Sequence, residues 1–311
     1  MMRGLKAMGI ALLFLPAVLQ AGDDGRGWWL AERFQGTSND AGLVLKANST
    51  VGYTFNGHIQ MYSGLPVYFT QASSNDTATS GTASPTGFVN GIGNAFAGLL
   101  ITASNSSLKY SSDLMVTAPT GDRTNGFSTG HASLDWTNTF SHSFEALTPY
   151  ASVGLANTVS DTAFFVRPFI TNGAVAHFEG GSIFRIAPHV GVGASAYGIQ
   201  ATGQQEIVSK VLRKSATQSS TTLSTTTSTT TKNGSTTSTV TTTTPSTSSK
   251  KNLFQTTPQT TTTADAADDH GFSAWLSLRP NAKTDFQIGY SHSVAYQLDS
   301  LSFGVGFRVG Q

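Results

Sequence analysis

The sequence predicts an all-β protein: a transmembrane antiparallel up-and-down β-barrel of about twelve strands, preceded by a cleaved signal peptide. Three observations predict this fold. The chain begins with an export signal, its later segments alternate apolar with polar residues, and short connections alternate with long ones. Charged residues make up only 11% of the chain, against roughly 25% in a typical soluble domain. A barrel with a lipid-facing surface needs few charges.

The export signal occupies the N-terminus. Arg3 and Lys6 precede an apolar run over residues 7–19, and Gln20-Ala21 follows it. This order predicts cleavage after Ala21, which makes residues 1–21 the signal peptide and residues 22–311 the barrel. An uncleaved anchor is the alternative, but the run is shorter than the roughly 20 residues that a spanning helix needs. We expect the exported barrel in the bacterial outer membrane.

The strands are predicted from an alternation with a period of two, which is clearest at the C-terminus. Apolar residues there alternate with small or charged ones, and the apolar set is Leu301, Phe303, Val305, Phe307 and Val309. In a barrel this set contacts lipid and the other set lines the lumen. In a β-sandwich the same set would form the core, and alternation alone does not separate the two folds.

The connections favour the barrel. Asn56-Gly57 suits a two-residue type I′ turn, and we also expect tight turns at 104–107, 141–143, Gly180-Gly181 and 280–283. Longer polar connections lie at about 71–90, 119–129, 157–169 and 200–270. If the tight turns are periplasmic, a strand over 27–34 must run outward, followed by a loop at 35–40 and an inward strand over 43–55. The last strand, 299–309, then ends in the periplasm, and the strand number is even, as expected.

A segment rich in serine and threonine interrupts this pattern at about 205–268. It lacks the apolar side chains that would offset the entropy of ordering it. We therefore predict a disordered loop. Strand parity places it in the fourth or fifth outer loop.

Residues 116–122, Val-Thr-Ala-Pro-Thr-Gly-Asp, end one predicted strand before a glycine-rich loop. Together with residues 91–94, Gly-Ile-Gly-Asn, and the run 127–158, this element resembles the outer-membrane proteins of the MetA-pathway-of-phenol-degradation family. The resemblance covers about residues 40–200 and 270–310. It implies a barrel that passes small, often apolar compounds. One departure is that the chain ends in Gln311 instead of the aromatic residue that the barrel-assembly machinery usually recognises.

Polar positions of the predicted strands give the candidates for the pore lining. These are Lys109, Asp113, His131, Asp135, His177, Glu179, Arg185, Asp285 and Arg308. His177 and Glu179 share one strand face, and Arg185 follows the predicted turn at Gly180-Gly181. We expect these three to narrow the pore. The alternative is that they pair with neighbours inside a filled barrel.

Catalysis, metals and cofactors are not expected. Ser291 and His292 are adjacent on a predicted strand, so their side chains point to opposite faces and cannot form a nucleophile–base pair locally. This makes a lipid hydrolase the weakest of the functions considered. The group Asp265, Asp268, Asp269 and His270 is interpreted as a solvated acidic patch, because its spacing matches no metal-binding loop. The chain has no cysteine.

These patterns predict a monomeric, narrow or partly plugged channel or transporter for small solutes. The family resemblance implies that some of these solutes are apolar. The alternative is a non-conducting surface barrel that displays the threonine-rich loop for adhesion or shielding. The expected partners are the outer-membrane bilayer, the barrel-assembly machinery and a small solute. The net charge of +1 gives no reason to expect nucleic acid.

Overall fold

A computed structural model of the chain describes residues 26–39, 42–72, 88–105, 108–159, 161–211, 231–232, 235–236 and 259–309. The predicted signal peptide and most of the serine- and threonine-rich segment lie outside these residues. Within the described ranges, no helix is long and apolar enough to cross a membrane.

Twelve long strands follow one another along the chain, and the fourth is interrupted at residues 93–95. In chain order they are β1 (Gly27–Asn39), β2 (Gly42–Asn56), β3 (Ile59–Ala72), β4 (Val89–Ile92 and Phe96–Ser104), β5 (Lys109–Thr117), β6 (Ser133–Ser141), β7 (Leu147–Ala156), β8 (Val175–Ala187), β9 (Val190–Ala201), β10 (Asp269–Asn281), β11 (Thr284–Ser293) and β12 (Leu298–Val309).

These strands form one closed antiparallel barrel. Each strand pairs with its neighbours in sequence, and β1 closes the sheet by pairing with β12 as well as with β2. Trp28 lies opposite Val309, and Ser38 lies opposite Asp299. Closure leaves no strand edge with unpaired backbone groups, which a spanning sheet in lipid requires. The predicted barrel of twelve strands is confirmed.

The two ends of the barrel differ in their connections. The start of β1, the end of β12 and five short connections lie at one end, which is the periplasmic end in barrels of this kind. At the other end, β5 and β6 are joined by loop 3 (residues 118–132), β7 and β8 by loop 4 (157–174), and β9 and β10 by loop 5 (202–268). The predicted alternation of short and long connections is confirmed from β2 to β11, whereas the outer connections β1–β2 and β11–β12 are short as well. The serine- and threonine-rich segment belongs to loop 5.

Two predicted boundaries are wrong. Gly180-Gly181 is not a turn but lies inside β8, and the chain reverses at residues 188–189. A side chain at position 181 would approach the Ala194 carbonyl oxygen to 2.5 Å, so this glycine permits close strand packing. In addition, β1 does not end at residue 34. It continues to Asn39, which pairs with Gly42, so the predicted loop at 35–40 is mostly strand.

The ends of the predicted disordered loop are structured. Gln204–Ser209 pairs with Gln259–Thr263 on one side and with Phe169–Asn172 of loop 4 on the other, which makes a three-stranded accessory sheet. Ile207 and Val208 are buried in it. The prediction of disorder is therefore wrong for these ends. Between them, only the short pair 231–232 and 235–236 is described.

The outer face of the barrel is apolar, as the alternation predicts for a lipid-facing surface. Leu155, Ile288 and Leu301 are 58%, 56% and 66% exposed. Near the periplasmic end, the Trp28 ring packs edge-on against Tyr53, with centroids 5.1 Å apart. Aromatic side chains of this kind are typical of the membrane–water interface.

Candidate functional site

The lumen is the candidate functional site. Eight of the predicted pore-lining residues lie on strand positions opposite the lipid-facing apolar set, and these are Lys109, Asp113, Asp135, His177, Glu179, Arg185, Asp285 and Arg308. His131 does not, because β6 begins at Ser133 and His131 belongs to loop 3. Its ring nitrogen Nε2 lies 3.8 Å from the Glu206 carboxylate in loop 5. The strand placement of His131 is therefore wrong.

The predicted constriction at His177, Glu179 and Arg185 does not form as one cluster. Since β8 has no turn at its glycine pair, Arg185 lies six residues beyond Glu179, which is roughly 20 Å along a strand. His177 Nε2 lies 3.1 Å from Asp135 Oδ1, and the Tyr150 hydroxyl donates to Glu179 over 2.6 Å. The first two residues therefore pair with the barrel wall, while Arg185 lies at the periplasmic mouth.

The lumenal carboxylates of β5, β6 and β8 have polar partners on neighbouring strands. The Tyr62 hydroxyl lies 2.8 and 2.9 Å from the two oxygens of Asp113. Asp135 contacts His177 and also accepts a hydrogen bond from the Thr137 hydroxyl over 2.9 Å. Buried acidic groups are stable when they are hydrogen-bonded in this way. This side of the lumen is therefore an internally satisfied acidic wall.

The extracellular half of the lumen is filled by a plug, which we define as the inward-folded parts of loops 3, 4 and 5: residues 121–131, 157–174 and 204–211. Their largest side chains are fully buried, including Phe127, Phe165, Phe169 and Arg167. A side chain at Gly126 would approach the Ser209 carbonyl oxygen to 1.9 Å, so loops 3 and 5 pack backbone against backbone. The described parts of loops 3, 4 and 5 therefore fill much of the extracellular half of the lumen.

Loop 4 contacts the barrel wall through aromatic stacking and hydrogen bonds. The Phe164 ring stacks on Trp275 of β10, with centroids 4.7 Å apart and planes at 17°. On β1, the Gln35 side-chain amide donates to the Thr162 carbonyl over 2.8 Å, and the Thr37 hydroxyl donates to the Val166 carbonyl over 2.6 Å. Loop 4 therefore contacts two parts of the barrel wall, β1 and β10, which are three strands apart.

A fully buried ion pair holds loop 4 to β10. Arg167 Nη2 lies 3.1 Å from Asp269 Oδ2, and neither side chain is exposed. The hydroxyls of Tyr197 and Ser293 also donate to the Asp269 carboxylate, over 3.1 and 2.6 Å. The Arg167 guanidinium lies 4.9 Å from the centre of the Phe165 ring. Asp269 is thus buried and paired, and its interpretation as part of a solvated acidic patch is wrong.

A second charged group joins loops 4 and 5 to β2. Asp161 of loop 4 lies 2.8 Å from Lys46 Nζ on β2 and 3.6 Å from Lys210 Nζ of loop 5. Burial would raise the pKa of Asp161, but the charges of Lys210 and Lys46 hold it well below its usual range. Burial lowers the pKa of Lys210 to about 8, although Asp161 opposes this shift. The carboxylate is therefore ionised at neutral pH and binds two cations.

A cavity of about 500 Å³ lies below the plug, between loop 4 and the wall formed by β1 to β6. Its lining is mixed, with Tyr62, Phe96 and Met115 beside Arg33, Asp113 and Lys210. This volume is in the range of small-molecule sites. The chamber is large enough for a small solute and offers it both charged and apolar contacts.

Sequence reasoning missed several residues of this site. Arg33 and Arg279 lie at polar positions of β1 and β10, so extending the alternation through these strands would have found them. Asp161, Arg167 and Lys210 lie in irregular loops, where no periodicity marks a side chain as lumenal. Their long-range pairing is a property of the folded chain.

The serine–histidine neighbours do not form a catalytic pair. Ser291 is buried on the lumenal face, with its hydroxyl 2.9 Å from that of Ser273. His292 faces outward, and its Nδ1 lies 2.8 Å from Asp299. No group of three or more histidine, aspartate or glutamate side chains among the described residues is arranged to hold a metal ion.

The comparisons with known proteins support the fold. No protein-family model matches the sequence, and no curated protein matches it. Among solved structures, the chain is similar to an outer membrane channel from Pseudomonas putida, with a TM-score of 0.56, 9% identity, and coverage of 94% of this chain and 100% of that one. It is also similar to the NanC porin, with a TM-score of 0.48, 7% identity, and coverage of 90% and 100%. The closed barrel and its lipid-facing belt place the protein in a bacterial outer membrane.

Proposed function

We propose that the protein is a narrow, plugged channel that carries small solutes across the outer membrane without chemical conversion. The observation that carries the proposal is the chamber of about 500 Å³, with its mixed charged and apolar lining, below a plug made of loops. A barrel used only as an anchor needs no chamber. A wide porin would need no plug, whereas a selective channel uses both.

The barrel size agrees with this proposal. Barrels of about eight strands are filled by side chains, and those of sixteen or more leave an aqueous channel. A barrel of twelve strands encloses an intermediate space. Three loops fold into half of this space here, so a solute passes only where the plug leaves room or when the plug moves.

The test is the single-channel conductance of the purified full chain in planar lipid bilayers. The wild-type protein is expected to give small conductance steps. Replacing residues 161–168 with a glycine–serine segment of equal length removes Phe164, Arg167 and Asp161, and we expect a severalfold larger conductance. Deletion of residues 212–258, which leaves the accessory sheet intact, is the control and should not change the conductance. A wild type and a plug variant that both give no current, or that give the same conductance, would contradict the proposal.

A second candidate is a non-conducting barrel that displays the threonine-rich segment for adhesion or shielding. The filled extracellular half favours it, because the plug blocks the direct path through the lumen. The same deletion of residues 212–258 separates the two functions in cells. Loss of adhesion or surface shielding with unchanged solute permeability would support display, and the reverse result would support transport.

The remaining parts of this proposal concern the solute and the assembly. We propose a monomer that the barrel-assembly machinery inserts, with a solute small enough for the chamber. The resemblance to the MetA-pathway family suggests that apolar compounds are among these solutes. Heat-modifiable gel migration of the protein in purified outer membranes tests whether the barrel is inserted. The mass of the protein–detergent complex tests whether the protein is a monomer.

A further inference from the structure

Positive charge is concentrated at the periplasmic end of the lumen. Lys109 is the first residue of β5, while the other cations lie within three residues of the periplasmic ends of β8, β10 and β12: Arg185, Arg279 and Arg308. All four side chains are on the lumenal face. Arg279 is near enough to the other three for their like charges to repel.

One carboxylate lies among these cations. Asp285 on β11 is within electrostatic range of Arg279, Arg308 and Arg33, the last of which lies higher on β1. A side chain at position 306 would approach the Asp285 carboxylate to 2.0 Å, so glycine on the paired strand gives this group its space. Three of the five cations, Arg33, Arg279 and Arg308, therefore lie around this single acidic group.

Among the residues that the structure describes, four of these five cations have no counter-charge at ion-pair distance. Among the described residues, Arg33, Lys109, Arg185 and Arg279 form no ion pair within 4 Å. Within the same residues, Asp285 Oδ1 is buried and has no hydrogen-bond partner. Like charges held together without counter-charges cost free energy, and an anion among them would relieve it. This differs from the acidic wall and the plug, where each charged group has a partner.

We propose that these residues form an anion-binding constriction and that the solutes of the channel carry carboxylate or phosphate groups. The inference rests on the proposed channel function and names its solute class. Arg185 and Arg279 are exposed at the mouth, so an anion from the periplasmic side reaches them directly. Arginine binds planar carboxylates and phosphates through paired hydrogen bonds. Arg33 continues the positive path from the mouth into the chamber.

The first test measures binding directly and needs no conduction. Citrate and inorganic pyrophosphate are titrated by calorimetry into the full chain in a non-ionic detergent, so that no lipid phosphate competes. We expect both probes to bind wild type, and the variant R279Q/R308Q to bind at least tenfold more weakly. The control is K283Q, which removes a cation from the exposed β10–β11 turn beside the mouth and should leave binding unchanged.

A second variant guards against misfolding. R185Q/K109Q changes the other side of the same ring and is expected to weaken binding about as much, while both double variants should keep heat-modifiable migration. Wild type that binds neither probe, or folded double variants that bind as tightly as wild type, would overturn the inference. Binding of only one probe supports it and identifies the anion as carboxylate or phosphate.

The ion selectivity of the channel separates this inference from the proposed function. In bilayers with a potassium chloride gradient, the reversal potential of wild type should show preference for chloride, and R279Q/R308Q should reduce that preference severalfold. A channel that conducts but prefers potassium contradicts the anion site while supporting the channel. A wild type without current contradicts the channel, and the binding titration then decides the anion site by itself.

Discussion

The two halves of the lumen differ in whether their charged side chains have partners of opposite charge. In the extracellular half, Asp161 binds Lys46 and Lys210, and Arg167 binds Asp269, with every pair within 4 Å. In the periplasmic half, five cations share one carboxylate, Asp285, which is within electrostatic range of three of them. The extracellular group draws its partners from loops 4 and 5 as well as from strands, whereas the periplasmic group lies on strands alone.

The difference shows what each half is suited to do. Burying a charge is tolerable only when the charge is paired and hydrogen-bonded. The plug meets this requirement internally, so its charges hold loops in place. In the periplasmic ring, Arg33, Lys109, Arg185 and Arg279 form no ion pair among the described residues. Arg185 and Arg279 are also exposed to water and to a solute. The ion pairs of the extracellular half hold the plug to the barrel wall, whereas the periplasmic cations are suited to binding a solute.

The largest expected effect comes from breaking the buried ion pair of the plug. Arg167→Ala leaves Asp269 buried without its cation, and removal of one partner of a buried pair costs about 3–5 kcal/mol. We expect the free energy of unfolding in guanidinium to fall by this amount and the conductance to rise as loop 4 detaches. Trp275 fluorescence reports the detachment, because Phe164 stacks on this ring.

The charge and its partner can also be removed together. In Arg167→Met/Asp269→Leu, no buried charge remains, and such replacements are often neutral or stabilising. The double variant should therefore recover most of the stability lost in Arg167→Ala. If the double variant is as unstable as the single one, the ion pair is not the source of the loss.

The next effect comes from the aromatic contact of the same loop. Phe164→Ala removes a buried ring from its stack on Trp275, and such changes cost about 3 kcal/mol or more. Phe144, which is 57% exposed in the β6–β7 turn, provides the matched control. Phe144→Ala should change the free energy of unfolding by less than about 0.5 kcal/mol. Equal effects of the two changes would mean that loop 4 does not pack on β10 in solution.

The contrast between strands and loops also explains what the sequence could predict. Alternation from Leu301 to Val309 predicts a strand and its lipid-facing side, because a period of two fixes both. The same rule finds Lys109, Asp285 and Arg308 as lumenal positions. The turn predicted at Gly180-Gly181 is wrong because glycine occurs both in turns and where strands pack closely. The local sequence does not distinguish these two cases.

The sequence predicts a partly plugged lumen, but it does not indicate which residues form the plug. Arg167 and Asp269 are separated by 102 positions, and nothing near either residue indicates the other. Asp269 even has an acidic neighbour, which favours a solvated interpretation. Pairings of this kind follow from the way loops fold back into the barrel, and a single sequence holds no periodic signal of that path.

Acid should weaken the plug by a smaller amount, through Asp161. An unfolded aspartate titrates near pH 4, and in the folded protein Lys210 and Lys46 hold its pKa well below that. Its stabilisation is therefore complete above about pH 4 and is lost as the pH falls further through the folded pKa. Unfolding curves at pH 6 and pH 3 should show wild type losing more stability than Asp161→Asn. An equal loss in both proteins would exclude this carboxylate as the acid-sensitive group.

The smallest expected effect concerns the exposed ion pair at the outer rim of the plug. Arg123 Nη2 in loop 3 lies 3.2 Å from Glu206 Oε1 in loop 5, and the Arg123 side chain is 51% exposed. Water and salt screen such pairs, so Arg123→Ala should lower the free energy of unfolding by less than about 1 kcal/mol. The measurement is the same guanidinium titration used for Arg167→Ala. Both arginines join a plug loop to a carboxylate at 3.1–3.2 Å. The ratio of the two losses in unfolding free energy therefore isolates the contribution of burial. Similar losses in the two variants would show that burial does not give the inner pair its strength.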